Sequence, residues 1–266
     1  MFKLALAQMH VEGGDKEQNL CRAETMIAEA ASRGASCVVL PEAMNLGWAH
    51  PSNRTWADAI PSGETCERLS VAASQNRVHV CSGLVEKAGD QVFNSAVLID
   101  PNGGVVLTHR KLNELEIGHE FYSHGDRLNV CETAFGTVGI MICADAFAKG
   151  EVISRALGCM GADIILSPCA WAVPADYDDA SEPYGQLWRS AYQSVAREYS
   201  MWIAGVSSVG PINAGPWQGR NCIGCSLVID ADGREVLQGP YGVGAETTLY
   251  VDIEFEIGKA RYSYHP

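Results

Sequence analysis

The sequence predicts an α/β protein built as a four-layer α-β-β-α sandwich, and three observations lead there. Short apolar runs of strand character alternate with amphipathic helical stretches along the chain. The alternation occurs twice, once in each half. No Gly/Ser/Pro-rich linker or low-complexity tract separates the halves, so residues 1–266 are expected to form one domain. Strands interspersed with helices call for sheets whose outer faces are covered by helices. Two such halves packed sheet against sheet give the four layers.

In the first half, Lys3–Met9 reads as a buried strand. Asp15–Arg33 follows as a helix, with Leu20, Ala23, Ile27, Ala30 and Ala31 on one side, Asp15 as N-cap and Gly34 as C-cap. Ser36–Leu40 is a strand stopped by Pro41. Glu64–Gln75 is a helix and Val78–Val85 a strand. Gln91–Asp100 and Val105–His109 flank a Pro101-Asn-Gly-Gly turn, a hairpin signal. In the second half, Arg127–Cys131 and Thr137–Cys143 read as strands, Gly150–Met160 as a helix and Ala162–Leu166 as a strand. Glu182–Tyr199 is a helix and Met201–Ser207 a strand. Ile223–Ile229 and Glu235–Gln238 flank an Ala231-Asp-Gly turn, and Thr247–Ile253 is the last strand. The polar and aromatic tail from Glu254 is expected to pack on a neighbouring surface.

Composition narrows the function. Hydrophobic residues make up 47% of the chain and charged residues 19%, as in a compact enzyme. A formal net charge of −13 repels phosphate backbones and anionic lipid heads, which argues against nucleic-acid and membrane-surface roles. The N-terminal apolar stretch is too short for a signal peptide, and no run reaches the roughly 18 apolar residues of a spanning helix. A cytoplasmic protein is therefore expected. The ten cysteines are scattered through apolar segments and read mostly as reduced core residues. The one close pair, Cys222-Ile-Gly-Cys225, lacks the further ligands that zinc needs. No HExxH, Walker-type loop or GxGxxG occurs, so no metal or cofactor is expected.

Three segments end apolar strands with polar residues: Val38-Val-Leu-Pro-Glu42, Thr108-His-Arg-Lys111 and Ile140-Met-Ile-Cys143-Ala-Asp145. In α/β sheets, sites gather where strands end, so Glu42, Lys111 and Cys143 could converge. A thiol needs deprotonation to attack, and a desolvated carboxylate can take its proton. A lysine ammonium can stabilise an oxyanion, and the N–H of Ala144 at a strand-to-helix turn is a second donor. Together these groups suit attack on an amide carbonyl or a nitrile carbon. Each also has a plain structural alternative: a buried thiol, a helix-start acid and a surface cation.

With Leu4-Ala-Leu-Ala-Gln8, Gly161-Ala-Asp-Ile-Ile-Leu-Ser-Pro168, Ala196-Arg-Glu198 with Ala204–Gly210, and Ile223-Gly-Cys-Ser226 with Asp232-Gly233, these segments stand in an order that resembles the nitrilase, or carbon–nitrogen hydrolase, superfamily along nearly the whole chain. The resemblance implies the same α-β-β-α fold, a general base at Glu42, a lysine at Lys111 and a nucleophile at Cys143. It also implies a second active-site glutamate, best matched by Glu120 in His119-Glu-Phe-Tyr-Ser-His-Gly125, with Glu114 and Glu116 as competitors. Members usually self-associate, so a homodimer or larger homo-oligomer is expected.

The departures concern the branch. Cys143-Ala-Asp-Ala-Phe-Ala-Lys-Gly-Glu151 lacks the Pro-Glu and the arginine that several members carry, which weighs against N-carbamoyl amino acids and dicarboxylate ω-amides. Ala144 replaces the tryptophan frequent in true nitrilases. The expected function is hydrolysis of a small amide through a cysteine thioester. The alternatives are a nitrilase, an N-carbamoyl amidohydrolase, an acyltransferase and a non-enzymatic thiol sensor. Trp48, Tyr122, Trp171, Tyr184 and Trp188 are the candidate substrate contacts.

Overall fold

Strands of two to ten residues, most of them apolar, organise the chain around two large sheets. The computed structural model describes residues 1–254; the tail expected to pack from Glu254 lies outside them from residue 255 on. The first half runs β1 (Phe2–Gln8), α1 (Lys16–Ser32), β2 (Cys37–Val39), α2 (Asn53–Trp56), α3 (Glu64–Asn76), β3 (His79–Ala88), β4 (Gln91–Ile99) and β5 (Val105–Arg110). The second half runs β6 (Val130–Thr133), β7 (Gly136–Ile140), α4 (Val152–Cys159), β8 (Ile164–Cys169), β9 (Ala172–Val173), α5 (Gln186–Tyr199), β10 (Trp202–Ser207), β11 (Val209–Pro211), β12 (Asn221–Ile223), β13 (Leu227–Ile229), β14 (Glu235–Gln238) and β15 (Thr247–Ile253).

One six-stranded sheet has the order β15-β1-β2-β3-β4-β5, and the other β14-β13-β10-β8-β7-β6. A three-stranded sheet, β11-β12-β9, lies beside them. Each large sheet has three parallel strands at its heart, β1-β2-β3 and β7-β8-β10, with antiparallel strands at the edges. The inner layer is apolar: Leu4, Leu6, Val39 and Leu98 of the first sheet meet Val138, Ile140, Leu166 and Val206 of the second. α1 and α3 cover the outer face of the first sheet through Leu20, Ile27 and Leu69, and α4 and α5 cover the second through Leu157, Tyr192 and Val195. The four layers are those the sequence predicts.

Local signals hold at α1, where the Asp15 carboxylate accepts from the Gln18 N–H at 3.0 Å and Gly34, just past the last turn, takes φ +83°. Several boundaries shift: the helix read from Glu182 begins at Gln186, and the strand read to Cys143 ends at Ile140. The strand read at Arg127–Cys131 forms instead at Val130–Thr133, because it pairs with β7 across a tight turn at Gly136. Ile223–Ile229 is broken into β12 and β13, because Gly224 and Cys225 both take left-handed backbone, φ +70° and +59°. Among the described residues, no helix is long and apolar enough to cross a membrane.

Candidate active site

Glu42, Lys111 and Cys143 converge where strands of the two sheets end. Glu42 follows β2, and its N–H donates to the Cys169 carbonyl at the end of β8 at 3.2 Å, tying one sheet to the other. Gly83 makes room for it: a Cβ there would stand 2.5 Å from the Glu42 Cα and 2.7 Å from the Pro41 carbonyl oxygen. Lys111 follows β5, its N–H bonded to the Asn94 carbonyl at 2.8 Å, so Asn94 and Lys111 sit side by side.

Their side chains form a closed ring with Glu114. The Lys111 ammonium donates to Oε1 of Glu42 at 2.8 Å and to Oε1 of Glu114 at 3.0 Å. The Asn94 amide donates to Oε1 of Glu42 at 2.7 Å and to Oε2 of Glu114 at 2.9 Å. All four residues are buried. Burial by itself would lower the lysine pKa, but the charges of Glu42 and Glu114, reinforced by Cys143, hold it well above the ordinary lysine value. Burial raises the Glu42 pKa, with Lys111 pulling the other way and Glu114 adding to the rise. Lys111 and Asn94 both bond Oε1 of Glu42, leaving Oε2 to take a proton. An ammonium has three donors, and these bonds use two.

Cys143 opens a 3-10 turn, Cys143–Phe147, at φ +45°. Left-handed backbone at a non-glycine residue costs about 1–3 kcal/mol and persists only where the surroundings enforce it. Asp145 does the enforcing. Its Oδ2 accepts from the Ile142 N–H at 2.8 Å and contacts Nε2 of His109 at 2.8 Å; its Oδ1 accepts from the N–H groups of Leu112 and Asn113 at 3.1 and 2.7 Å. Burial would raise its pKa, but the His109 hydrogen bond and charge, with the Ile142 N–H, outweigh that and hold the carboxyl below its usual range. The Asn113 amide donates to the Ala144 carbonyl at 2.6 Å. The thiol of Cys143 is held well above its ordinary value by contact with the Cys169 thiol, then by burial and by the charge of Glu42, against the pull of Lys111. These surroundings favour the thiol over the thiolate, and Glu42 lines the same cavity.

A cavity of about 260 Å³ opens onto these groups, lined by Glu42, Lys111, Cys143 and Ala144 and walled by Trp48, Trp171, Tyr184, Trp188 and Trp217. Trp171 and Trp188 stack at 4.6 Å between ring centroids, Trp48 and Trp217 tilt together at 4.6 Å, and the Trp188 indole N–H donates to the Tyr184 hydroxyl at 2.9 Å. Among the described residues lining it, Lys111 is the only cation, and both carboxylates engage it. A larger groove of about 620 Å³ lies along β5 and β6; its Arg110 is committed to Glu86 at 2.8 Å, and among the described residues lining it there is no cysteine.

Two expected site residues stand elsewhere. Glu120 is exposed, and its carbonyl binds Arg54; Glu114, three residues after Lys111, occupies the place beside the ammonium. The resemblance to a Glu-Gly pattern pointed too far along the chain, into a 3-10 turn that faces solvent. Tyr122 does not line the cavity: its hydroxyl accepts from the Ala49 N–H and from the Asn53 amide, both at 2.8 Å, bracing the loop that carries Trp48. Trp48, Trp171, Tyr184, Trp188 and Ala144 do line it. Sequence reasoning missed Asn94, Phe147 and Trp217. For Asn94 the hairpin register was the available signal, since it pairs the residue with the one after Arg110.

The sequence profile of the carbon-nitrogen hydrolase family matches residues 3–262. A nitrilase from Pyrococcus abyssi is 33% identical over 200 residues, 74% of each chain. An omega-amidase from Danio rerio is 34% identical over 169 residues, 59% of this chain; the match spans 60% of that relative's length. Among solved structures, a branch 10 member of the nitrilase superfamily from Saccharomyces cerevisiae superposes with a TM-score of 0.79 at 23% identity, covering 94% of this chain and 89% of that one. An amidase from Nesterenkonia sp. superposes with a TM-score of 0.78 at 22% identity, covering 95% and 90%.

Proposed function

Because the chain belongs to the carbon-nitrogen hydrolase family, we propose that it hydrolyses a small, uncharged amide with an apolar acyl group through a thioester on Cys143. The observation that carries this reading is the meeting of Cys143, Lys111 and Glu42 on one tryptophan-walled cavity whose only cation among the described lining residues is already engaged. Among the described lining residues no spare cation would receive a distal carboxylate, which weighs against ω-amides of dicarboxylates.

Oε2 of Glu42 takes the thiol proton as the Cys143 sulfur attacks the carbonyl carbon. The third N–H of Lys111 and the Ala144 N–H hold the oxyanion. Removal of one such donor costs about 10²–10³ in turnover in enzymes of this type of chemistry. Glu42 then gives its proton to the departing ammonia or amine. A water, deprotonated by Glu42, opens the thioester and releases the acid. Glu114 and Asn94 hold Lys111 and Glu42 in position throughout. Every step uses a side chain or N–H of this chain, within one domain.

The nitrilase among the relatives supports a second reading, in which the sulfur adds to a nitrile carbon and a thioimidate replaces the thioester. One experiment tests both: aryl and alkyl amides are assayed beside their matched nitriles and dicarboxylate monoamides, with mass spectrometry of the acylated protein. The expected result is an acyl adduct on Cys143 and turnover of neutral amides. An adduct elsewhere, or turnover confined to nitriles or to carboxylated substrates, overturns the first reading. Exposed Val152 and Met160 on and beside α4 support the expected self-association; sedimentation showing only a monomer would overturn it.

A further inference from the structure

Cys143 has a thiol neighbour for which hydrolysis has no use. β7 and β8 run parallel, with Val138 beside Ile164, Gly139 beside Ile165 and Ile140 beside Leu166. The Met141 N–H continues the ladder to the Leu166 carbonyl at 3.3 Å. The same offset, carried past the end of β7, sets Cys143 beside Cys169, the last residue of β8. Adjacent strands lie about 4.8 Å apart, inside the Cα separation of about 4.4–6.8 Å that a disulfide spans. Cys143 packs against the apolar cluster that contains Cys169, and the Cys169 thiol does most to hold the Cys143 thiol protonated.

Their exposures are complementary. Cys143 lines the substrate cavity, whereas Cys169 is fully buried, its sulfur 3.2 Å from the Ser167 carbonyl oxygen and 3.8 Å from the Tyr192 hydroxyl. A small reagent entering the cavity meets the first thiol and is screened from the second. An accessible cysteine with a second thiol poised behind it has the two-thiol layout of a reversible peroxide sensor; here Glu42, as proton acceptor, takes the place of a lowered thiol pKa.

We propose that Cys143 and Cys169 form a reversible disulfide when the protein meets a hydroperoxide. Cys143 gives its proton to Glu42, and its sulfur attacks one peroxide oxygen. The O–O bond breaks, the sulfur takes the OH and is oxidised to a sulfenic acid, and the departing oxygen takes the proton from Glu42 and leaves as an alcohol or as water. The Cys169 sulfur then attacks the Cys143 sulfur. The S–S bond forms as the S–O bond breaks, and the hydroxyl leaves with the Cys169 proton as water. Two equivalents of a small thiol reverse the change. Closing the disulfide removes the sulfenic acid before a second peroxide can convert it to the irreversible sulfinic acid.

The test is peptide mapping of the full chain after hydrogen peroxide treatment and alkylation of free thiols. In the native sequence, the Cys143 and Cys169 peptides should be joined, two hydrogens lighter than their sum, and dithiothreitol should separate them with return of both alkylatable thiols. In Cys169→Ser and Cys169→Ala, Cys143 should gain two oxygens, and dithiothreitol should not restore its thiol. The proposal is overturned if the native chain carries Cys143 sulfinic acid without the linked peptide. It is equally overturned if both variants keep a dithiothreitol-reversible Cys143 product. The mapping needs no substrate, so its outcome is independent of whether amides are hydrolysed.

Discussion

Nε2 of His109 and Oδ2 of Asp145 meet at 2.8 Å in a fully enclosed setting, and this contact joins the strand that leads to Lys111 to the turn that begins at Cys143. The other oxygen of Asp145 takes the two N–H groups just after Lys111. One carboxylate thus fixes the spacing between ammonium and thiol without touching either reacting atom.

Asp145→Asn should separate positioning from chemistry. An amide presents one acceptor oxygen where the carboxylate presents two, so N–H groups on one side lose their partner. Breaking a buried charged network typically costs about 3 kcal/mol, and misplacing a catalytic group by about 1 Å can cost about 10² in rate. Urea denaturation should show the first loss and steady-state turnover the second. Unchanged values of both would remove Asp145 from this role.

The same variant has a pH signature. The folded pKa of Asp145 lies below its ordinary value, which is about 3.9. Its stabilisation is therefore fully present above about pH 3.9 and lost as pH falls through the lower folded value. The stability gap between the native chain and Asp145→Asn should stay constant towards neutrality and shrink below that point. A gap that widens on acidification would contradict the assignment.

The two glutamates are distinguished by paired substitutions. Glu114→Gln removes the second anion from Lys111 and should lower turnover by about 10² or more, within the range of positioned acid–base groups. Glu120→Gln changes an exposed side chain and should stay within about twofold, stability included. The reverse ranking in a simple amidase assay would restore Glu120 to the site.

Lys111→Met leaves Glu42 and Glu114 buried without their cation. Glu42, whose pKa burial already raises against the pull of Lys111, should then take up a proton on folding, above the unfolded value of about 4.3. A carboxyl whose folded pKa is raised loses stability as pH rises from its unfolded value through its folded one. Melting temperatures of the variant should therefore fall between about pH 5 and 8 relative to the native chain, with turnover lost. A pH-independent difference would show that the carboxylates do not depend on this lysine.

Leu187, exposed on the cavity rim, offers a test of substrate charge. Leu187→Arg should raise kcat/KM for monoamides of dicarboxylic acids by about fivefold, the size of a surface ion pair of about 1 kcal/mol. No change in the ratio of carboxylated to neutral substrates would mean that the acyl group does not reach the rim.

The framework was legible because buried strands announce themselves. Val38–Leu40, Ile164–Leu166 and Ile203–Val206 are runs no solvent-facing element would carry; Glu42 follows the first, Cys143 follows the equally buried Val138–Ile142, and Lys111 follows the half-exposed edge strand β5. The rest depended on backbone without a period. Glu114 lies in an irregular segment between β5 and a 3-10 turn, where neither helical nor strand spacing orients a side chain. Trp217 reaches the cavity from the loop between β11 and β12. Tyr122 is an aromatic whose hydroxyl is consumed by scaffolding, a use the residue type does not reveal.

The walls of the cavity carry one more consequence. Trp48, Trp171, Trp188 and Trp217 are four of the six tryptophans in the chain, so most of its indoles surround the nucleophile. The protein contains its own optical reporter: occupancy of the site and the rise and decay of the acylated state should register as changes in emission, without a label and on the timescale of mixing.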